Sequence, residues 1–192
     1  MEHLIELDKK FFLLLNSLHS EELDQVMMYI SQTIIWVPLY LLLLFLILRK
    51  YRNDSWLPLL GILITIVIAD QFASGVLKPI TQRLRPSREP SLEGLVHIVN
   101  GYKGGKYGFA SSHAANTFGL ATFIWLIFRE NLKWCLLLFI WAAVVSYSRI
   151  YLGVHYPGDI VAGILIGVLA AFAGFKFTQW LGNITKRKNS VT

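Results

Sequence analysis

The sequence predicts an all-α integral membrane protein: a helical bundle with about five transmembrane helices and an amphipathic interfacial helix at its N-terminus. Hydrophobic residues make up 55% of the 192 residues and charged residues only 16%, and the mean hydropathy is +0.52. An average soluble domain carries about 25% charged residues. The length suits one domain, so residues 1–192 are predicted to form a single unit.

The first 22 residues predict a helix that lies in the membrane interface. Apolar residues recur there at spacings of three and four: Leu4, Leu7, Phe11, Leu14 and Leu18. Charged residues from Asp8 to Lys10 interrupt the apolar run, so it cannot span a bilayer. One apolar stripe on an otherwise polar helix is typical of an interfacial helix.

Five longer apolar segments predict the membrane spans: 26–48, 56–77, 114–128, 132–147 and 159–181. A span needs about 20 residues, so the third and fourth are expected to extend into flanking polar stretches. Pro38 lies inside the first segment and predicts a kink there. In the fifth segment, Gly163, Gly167 and Ala171 recur every four residues, a spacing that lets helix backbones approach closely.

An odd number of spans places the long 78–113 loop, the 148–158 loop and the N-terminus on one side of the membrane. The 49–55 loop, the 129–131 turn and the C-terminus then lie on the other side. The 78–113 loop is rich in Gly, Pro, Ser and basic residues, and long loops in compact domains are often functional.

The basic residues predict which side faces the cytoplasm. The 18 lysines and arginines divide nine and nine, but three residues on the 78–113 side have a separate role, described below, which leaves six against nine. Because basic loops face the cytoplasm, the sequence predicts a bacterial cytoplasmic (inner) membrane protein. The 78–113 loop then lies outside, and a basic tail, residues 182–192, lies in the cytoplasm.

The composition also excludes several classes of partner. The net charge of +6 is explained by the loops of a membrane protein, so no nucleic-acid partner is predicted. The single cysteine, Cys135, excludes an internal disulfide, and no zinc or haem spacing is present. The sequence therefore predicts no metal and no other cofactor. It makes no prediction of the oligomeric state.

Three polar clusters lie on the side of the long loop: KPITQRLRP (Lys78–Pro86), ASSH (Ala110–His113) and SRIYLGVHYPGD (Ser148–Asp159). Lys78, Arg85 and Arg149 supply three positive charges, and Ser111 adds a hydroxyl. Arginine presents a planar fork of donors that matches phosphate oxygens, and backbone N–H groups at a helix start add further donors. Together these groups predict a site for a multiply charged tetrahedral anion.

Two histidines in these clusters predict covalent catalysis. A neutral imidazole can attack phosphorus, and a second imidazole can protonate the leaving oxygen and then activate water. Asp159 lies four residues after His155, and Pro157 suits the first turn of a helix. Asp159 is therefore predicted to orient His155. This makes His155 the predicted nucleophile and His113 the predicted general acid and base.

Asp70 lies inside the second span, two turns before Lys78. An intramembrane acid is a functional candidate, but a buried pair with Lys78 or an arginine is the interpretation we favour. Asn116, one turn after His113, either lines the pocket or bonds a neighbouring helix. The remaining basic residues of the long loop are expected to contact solvent or lipid headgroups: Arg83, Arg88, Lys103 and Lys106.

Taken together, the clusters resemble the type 2 phosphatidic acid phosphatase superfamily, membrane lipid phosphate phosphatases related to vanadium haloperoxidases. Its pattern is K-x6-R-P, P-S-G-H and S-R-x5-H-x3-D. The first and third motifs are present at full spacing, whereas the second has Ala110 in place of Pro and Ser112 in place of Gly. The resemblance covers roughly residues 60–180. It implies a helical membrane bundle, catalysis without metal, a phosphohistidine on His155, and a set of phosphate-holding residues: Lys78, Arg85, Ser111, Ser112, His113 and Arg149.

The resemblance implies hydrolysis of a phosphate or diphosphate on a membrane lipid at the outer face. Undecaprenyl diphosphate, phosphatidylglycerol phosphate and lipid A phosphate are the expected substrates. The first is slightly preferred, because a small chain without extra domains suits a housekeeping role. Two alternatives stay open: a lipid phosphotransferase with the same site, and a non-catalytic lipid-binding or transport protein with a relic site.

Overall fold

The computed structural model describes residues 2–129 and 132–189, and this part of the chain forms the predicted all-helical bundle. Four helical segments are long and apolar enough to cross a membrane: Thr33–Asp54, Trp56–Thr81, Trp134–Tyr151 and Pro157–Ile184. A further apolar helix of 17 residues, α6 (Ser112–Phe128), lies among them. The predicted membrane bundle is confirmed.

The predicted interfacial helix is α1 (Glu2–Asn16). It is shorter than the predicted 22 residues, because a separate helix starts at Glu21. Its apolar stripe faces away from the bundle, since Leu4, Leu7, Phe11 and Leu14 are exposed; Leu18 is also exposed but lies beyond the end of α1. The opposite face is anchored in the protein. Phe12 is fully buried edge-on against Tyr156, and the Asn16 amide donates to the backbone carbonyl of Tyr151 at 2.8 Å. An anchored polar face and an outward apolar stripe suit a helix lying in the membrane interface.

The first membrane span begins later than the sequence predicts. Residues up to Ile30 belong to a separate helix, α2 (Glu21–Ile30), and a short 3₁₀ turn then leads into α3 (Val37–Tyr51). The predicted segment 26–48 is therefore wrong at its start. The predicted kink is also wrong, because Pro38 lies in the first turn of α3. The first helical turn does not use the N–H group that proline lacks.

The second span is one continuous rod with a π-helical interruption. Helix α4 (Trp56–Asp70) passes through a π-helical segment (Gln71–Leu77) into α5 (Lys78–Thr81). The rod ends where Gln82 adopts the left-handed conformation, with φ of 45°, a common helix stop. Short π-helical segments are frequent at functional sites. Here the segment separates Asp70 from Lys78, the two charged residues of the rod that face the site described below.

Helix α6 is the centre of the bundle, packed against α4, α7 (Leu132–Tyr151) and α8 (Pro157–Asn189). The α6–α8 contact depends on small residues, as the spacing predicts. A Cβ atom placed on Gly167 would lie only 2.2 Å from the backbone oxygen of Ala115. Dense backbone packing fixes the position of the N-terminal end of α6 relative to α8.

Two predictions fall wholly or partly beyond the described residues. The predicted 129–131 turn includes residues 130 and 131, which lie outside them. Residues 182–189 of the predicted tail continue α8, and residues 190–192 lie outside the described part.

We expect Gly167→Ala to destabilise the bundle, because the new methyl group would collide with the backbone of α6. Overpacking of this kind costs about 1–3 kcal/mol, so the melting temperature in detergent should fall by about 5 °C. Gly182→Ala is the matched control. It lies on the same helix, and its Cβ would meet only Leu57 at an ordinary 3.5 Å. Equal melting temperatures for the two variants would contradict the packing argument.

Candidate active site

The three polar clusters of the sequence meet at one end of the bundle. The Lys78 ammonium lies 3.4 Å from the Ser112 hydroxyl, which joins the first cluster to the second. The Ser111 backbone N–H donates to the backbone carbonyl of Asp159 at 3.0 Å, which joins the second cluster to the third. The start of α6 is thus held between the end of the second span and the first turn of α8.

His155 and Asp159 form the buried pair that their spacing predicts. Nδ1 of His155 lies 3.3 Å from Oδ2 of Asp159, and the side chains are 1% and 0% exposed. The same carboxylate oxygen accepts the backbone N–H of Tyr156 at 3.0 Å. Burial lowers the pKa of His155 well below its ordinary value, and the charges of Arg85, Arg149 and Lys78 lower it further. The imidazole is therefore neutral at neutral pH.

Arg83 contacts this pair, although the sequence indicates only a solvent or headgroup contact, so that interpretation is wrong. Its guanidinium donates to Oδ1 of Asp159 at 2.9 Å and to Oδ2 of Asp8 in α1 at 2.7 Å. It also lies 4.0 Å from the centre of the Tyr156 ring. Asp8 in turn accepts the backbone N–H of Gly158 at 2.8 Å. The interfacial helix is thereby tied to the His–Asp pair.

One local signal could have identified Arg83. The chain around Leu84 is extended, because Leu84 forms a bridge with Tyr107, and alternate side chains of an extended segment share a face. Arg83 and Arg85 are two residues apart, so their side chains lie on the same face. A role for Arg85 in the active site therefore favours a role there for Arg83.

The two arginines of the predicted anion site, Arg85 and Arg149, retain donors that have no partner among the described residues. Arg85 donates from Nε to the backbone carbonyl of Tyr107 at 3.0 Å, but its buried Nη1 has no partner within the described residues. Arg149 donates to the hydroxyls of Ser31 and Tyr102, and its buried Nε likewise has no partner there.

Like charges at this site also repel one another. Burial lowers the pKa of Arg85 from its ordinary value, and the neighbouring charge of Arg149 lowers it further. An anion bound between these side chains would relieve the repulsion and accept from the unused donors. The arrangement therefore suits a phosphate group.

The N-terminal end of α6 divides the ASSH cluster into two functions. Ser111 is the N-cap residue: its hydroxyl accepts the N–H of Ala114 at 3.4 Å, and the side chain is fully buried. Ser112 and His113 instead line a cavity. The backbone N–H and the hydroxyl of Ser111 are both engaged within the protein. The structure therefore does not bring Ser111 to the cavity with Ser112 and His113.

The cavity has a volume of about 480 Å³ and lies among α3, α4, α6 and α7. One end is polar, where it is lined by Ser31, Ser112, His113, Asn116 and Asp70. The walls beyond are apolar and are formed mainly by large side chains: Trp36, Tyr40, Leu43, Ile47, Leu59, Ile62, Leu120 and Trp141. A cavity with one polar end and a long apolar wall suits a lipid whose head carries the reacting group.

Asp70 faces this cavity rather than a cation. The predicted pair with Lys78 or an arginine is wrong, because Asp70 forms no salt bridge among the described residues. Its Oδ1 instead accepts from the Asn116 amide at 3.4 Å. The Lys78 ammonium donates to the Ser74 hydroxyl at 3.0 Å, on its own helix. Asn116 thus both lines the cavity and bonds the neighbouring helix.

No group of three or more His, Cys, Asp or Glu side chains is arranged to hold a metal ion in the described part of the chain. Cys135 is buried. Arg88 of the long loop is exposed and donates to the backbone carbonyls of Gly104 and Gly105. It therefore holds the loop that passes over Arg85.

The motifs and geometry agree with comparisons against known proteins. The family model described as "PAP2 superfamily" matches residues 59–183. A lipid A 4'-phosphatase of Bacteroides thetaiotaomicron is 40% identical over 195 residues, covering 100% of this chain and 84% of that protein. One of Porphyromonas gingivalis is 37% identical over 191 residues, covering 95% of this chain and 79% of that protein.

The fold matches a solved structure as well. The crystal structure of Aquifex aeolicus LpxE superposes with a TM-score of 0.69 at 26% identity, covering 87% of this chain and 93% of that chain. The chain therefore belongs to the PAP2 superfamily, as a multi-pass bacterial membrane protein that hydrolyses lipid phosphate esters.

Proposed function

We propose that the protein removes the phosphate of a lipid A-type substrate, an acylated glucosamine phosphate, through a phosphohistidine on His155. The observation that carries this mechanism is the buried pair of His155 and Asp159. Burial lowers the pKa of His155, and the charges of Arg85, Arg149 and Lys78 lower it further. The two lipid A 4'-phosphatases, similar along nearly the whole chain, support this substrate. Lipid A is therefore the proposed substrate in preference to undecaprenyl diphosphate, which the sequence alone slightly favours.

In the first step, His155 attacks phosphorus while the phosphate is held by the cations. Because Nδ1 faces Asp159, Nε2 is the nitrogen available to form the new N–P bond. Lys78, Arg85, Arg149 and Ser112 donate to the phosphate oxygens and stabilise the charge that develops on them. The ester P–O bond breaks, and His113, which the negative charge of the bound phosphate keeps protonated, gives its proton to the leaving sugar oxygen.

In the second step, water removes phosphate from His155. The now neutral His113 takes a proton from the water, whose oxygen attacks phosphorus as the N–P bond breaks. Inorganic phosphate leaves, and both histidines return to their starting states. Transfer to a second lipid would require an acceptor hydroxyl in place of this water. Free phosphate therefore identifies hydrolysis, and a phosphorylated acceptor identifies transfer.

Arg83 acts in this mechanism through Asp159. Its charge favours the ionised carboxylate, which stabilises the imidazolium character that His155 gains as it attacks. Arg83 is engaged with Asp8 and Asp159, so it is a positioning residue and not a phosphate ligand.

The catalytic test measures phosphate release from lipid A, undecaprenyl diphosphate and phosphatidylglycerol phosphate by the purified full chain. Wild type should release free phosphate from lipid A, with no phosphorylated acceptor, and should keep its activity in a chelator. His155→Ala should lose more than about a thousandfold in rate, and acid quench should trap no phosphoenzyme. His113→Ala should slow both steps.

His3→Ala is the matched control, since His3 is exposed on α1, and it should keep full activity. Turnover by His155→Ala would contradict the mechanism. Activity on undecaprenyl diphosphate without activity on lipid A would contradict the substrate, and loss in chelator would contradict metal-free catalysis.

We expect Arg83→Gln to lower kcat by about tenfold to a hundredfold with little change in KM, because it misorients the His–Asp pair without touching phosphate. Arg83→Lys should recover part of this loss, and Asp8→Asn should cause a smaller one. The control is Lys103→Gln, an exposed cation of the same loop. A raised KM at unchanged kcat would instead identify Arg83 as a phosphate ligand.

The basic residues of the loops support an active site at the outer face and a C-terminus in the cytoplasm. With Cys135 replaced by alanine, a cysteine introduced at exposed Lys103 should react with an impermeant reagent added outside intact cells. A cysteine at exposed Asn53, at the opposite end of the bundle, should react only after the membrane is opened. The reverse pattern would invert this topology.

A further inference from the structure

A carboxylate and an amide lie together inside the membrane cavity, one helical turn beyond the predicted phosphate site. Asp70 projects from the end of α4 and Asn116 from α6, and both line the cavity. Their one recorded contact, from the Asn116 amide nitrogen to Oδ1 of Asp70, is 3.4 Å long. A hydrogen bond at this distance is weak.

The pair leaves acceptor capacity unused. With the Asn116 nitrogen turned toward the carboxylate, which is its favourable orientation, the buried Oδ1 of Asn116 has no hydrogen-bond partner in the described part of the chain. Oδ2 of Asp70 has no recorded partner there either. Polar groups within a membrane are costly when unsatisfied and mark functional positions. The half-buried Asp70 carboxylate lines the cavity and is suited to donors on whatever the cavity holds.

The position of the pair relative to the phosphate site is set by α6. Asn116 follows Ser112 by four residues, so it lies about 6 Å farther along the helix axis. Ser112 is 3.4 Å from the Lys78 ammonium. Beyond Asn116 the cavity wall is apolar, with Leu120 one turn farther along the same helix. The order along the cavity is therefore phosphate ligands, then acceptors, then apolar wall.

We propose that Asp70 and Asn116 form a hydrogen-bonding site for an amide N–H or hydroxyl donor on the lipid, about one helical turn from its phosphate. An acylated amino-sugar phosphate has such donors on the sugar ring and at its amide-linked chain. A polyprenyl diphosphate has none, because its carbon chain begins directly after the phosphates. The pair would therefore select the saccharide lipid, and this inference rests on the proposed function.

If Asp70 and Asn116 served only to hold two helices together, replacing them would have a different effect on activity. Polar side chains in membrane helices also hold neighbouring helices together, each contributing about 1–2 kcal/mol or less. Loss of such a contact would lower stability and affect all substrates alike. The ratio of kcat/KM between two substrates distinguishes recognition from helix association.

The test compares kcat/KM for lipid A and for undecaprenyl diphosphate in wild type, Asp70→Ala and Asn116→Leu, with melting temperatures measured in parallel. Asp70→Ala should lose about tenfold or more on lipid A, the size expected for one hydrogen bond to a charged acceptor. The change on undecaprenyl diphosphate should stay within about threefold. Asn116→Leu should show the same selective loss to a smaller degree.

Thr117→Val is the matched control. Thr117 adjoins Asn116, but its hydroxyl already donates to the backbone carbonyl of His113 at 2.8 Å, so the substrate ratio should not change. Equal losses on both substrates, or no loss on either, would overturn this inference while leaving the proposed function intact. A wild-type protein that acts on undecaprenyl diphosphate but not on lipid A would overturn both.

Discussion

Asp159 connects the loop that carries His155, the long loop and the start of α6. One carboxylate oxygen faces His155 and accepts the N–H of Tyr156, and the other accepts from Arg83. Its backbone carbonyl accepts the N–H of Ser111 at the start of α6. A buried charge is tolerated only when it is paired and hydrogen-bonded. Satisfying this one group therefore fixes the positions of the long loop, the start of α6 and the loop that carries His155.

The same carboxylate brings the interfacial helix into the site. Arg83 is shared between Asp159 and Asp8, and Asp8 also accepts the backbone N–H of Gly158. The apolar stripe of α1, on the opposite face, is exposed. A helix that lies in the interface is thus held by the group that orients the proposed nucleophile. The site and the membrane surface have a fixed relationship for this reason.

Polarity changes in steps along the cavity. Ser112 and His113 lie at one end of the cavity, with the Lys78 ammonium next to Ser112. The Asp70–Asn116 pair lies a turn farther in, and apolar side chains form the remaining wall. A lipid phosphate has the same order of chemistry along its length. The π-helical segment lies between Asp70 and Lys78, so both charged residues belong to the same continuous helical rod.

The residues of the catalytic motifs could be predicted because their chemistry depends on local spacing. His155 and Asp159 are four residues apart across a helix start, and Lys78 and Arg85 lie within one short segment. Arg83 was assigned to solvent because its partner Asp8 is 75 residues away in sequence, and a single sequence does not reveal such contacts. The start of the first span was misjudged because apolar residues continue through the break between α2 and α3.

The membrane bundle, the stripe of α1 and the chemical content of the site follow from the sequence, since hydropathy, periodicity and motif spacing are local properties of the chain. Three features follow from the folded structure instead: Asp70 contacts Asn116, Ser111 is a helix cap and not a cavity group, and Arg83 contacts Asp159. These outcomes depend on which buried polar groups find partners across helices. That is a property of the packed bundle, because the packing of the helices sets which donors and acceptors lie within reach of one another.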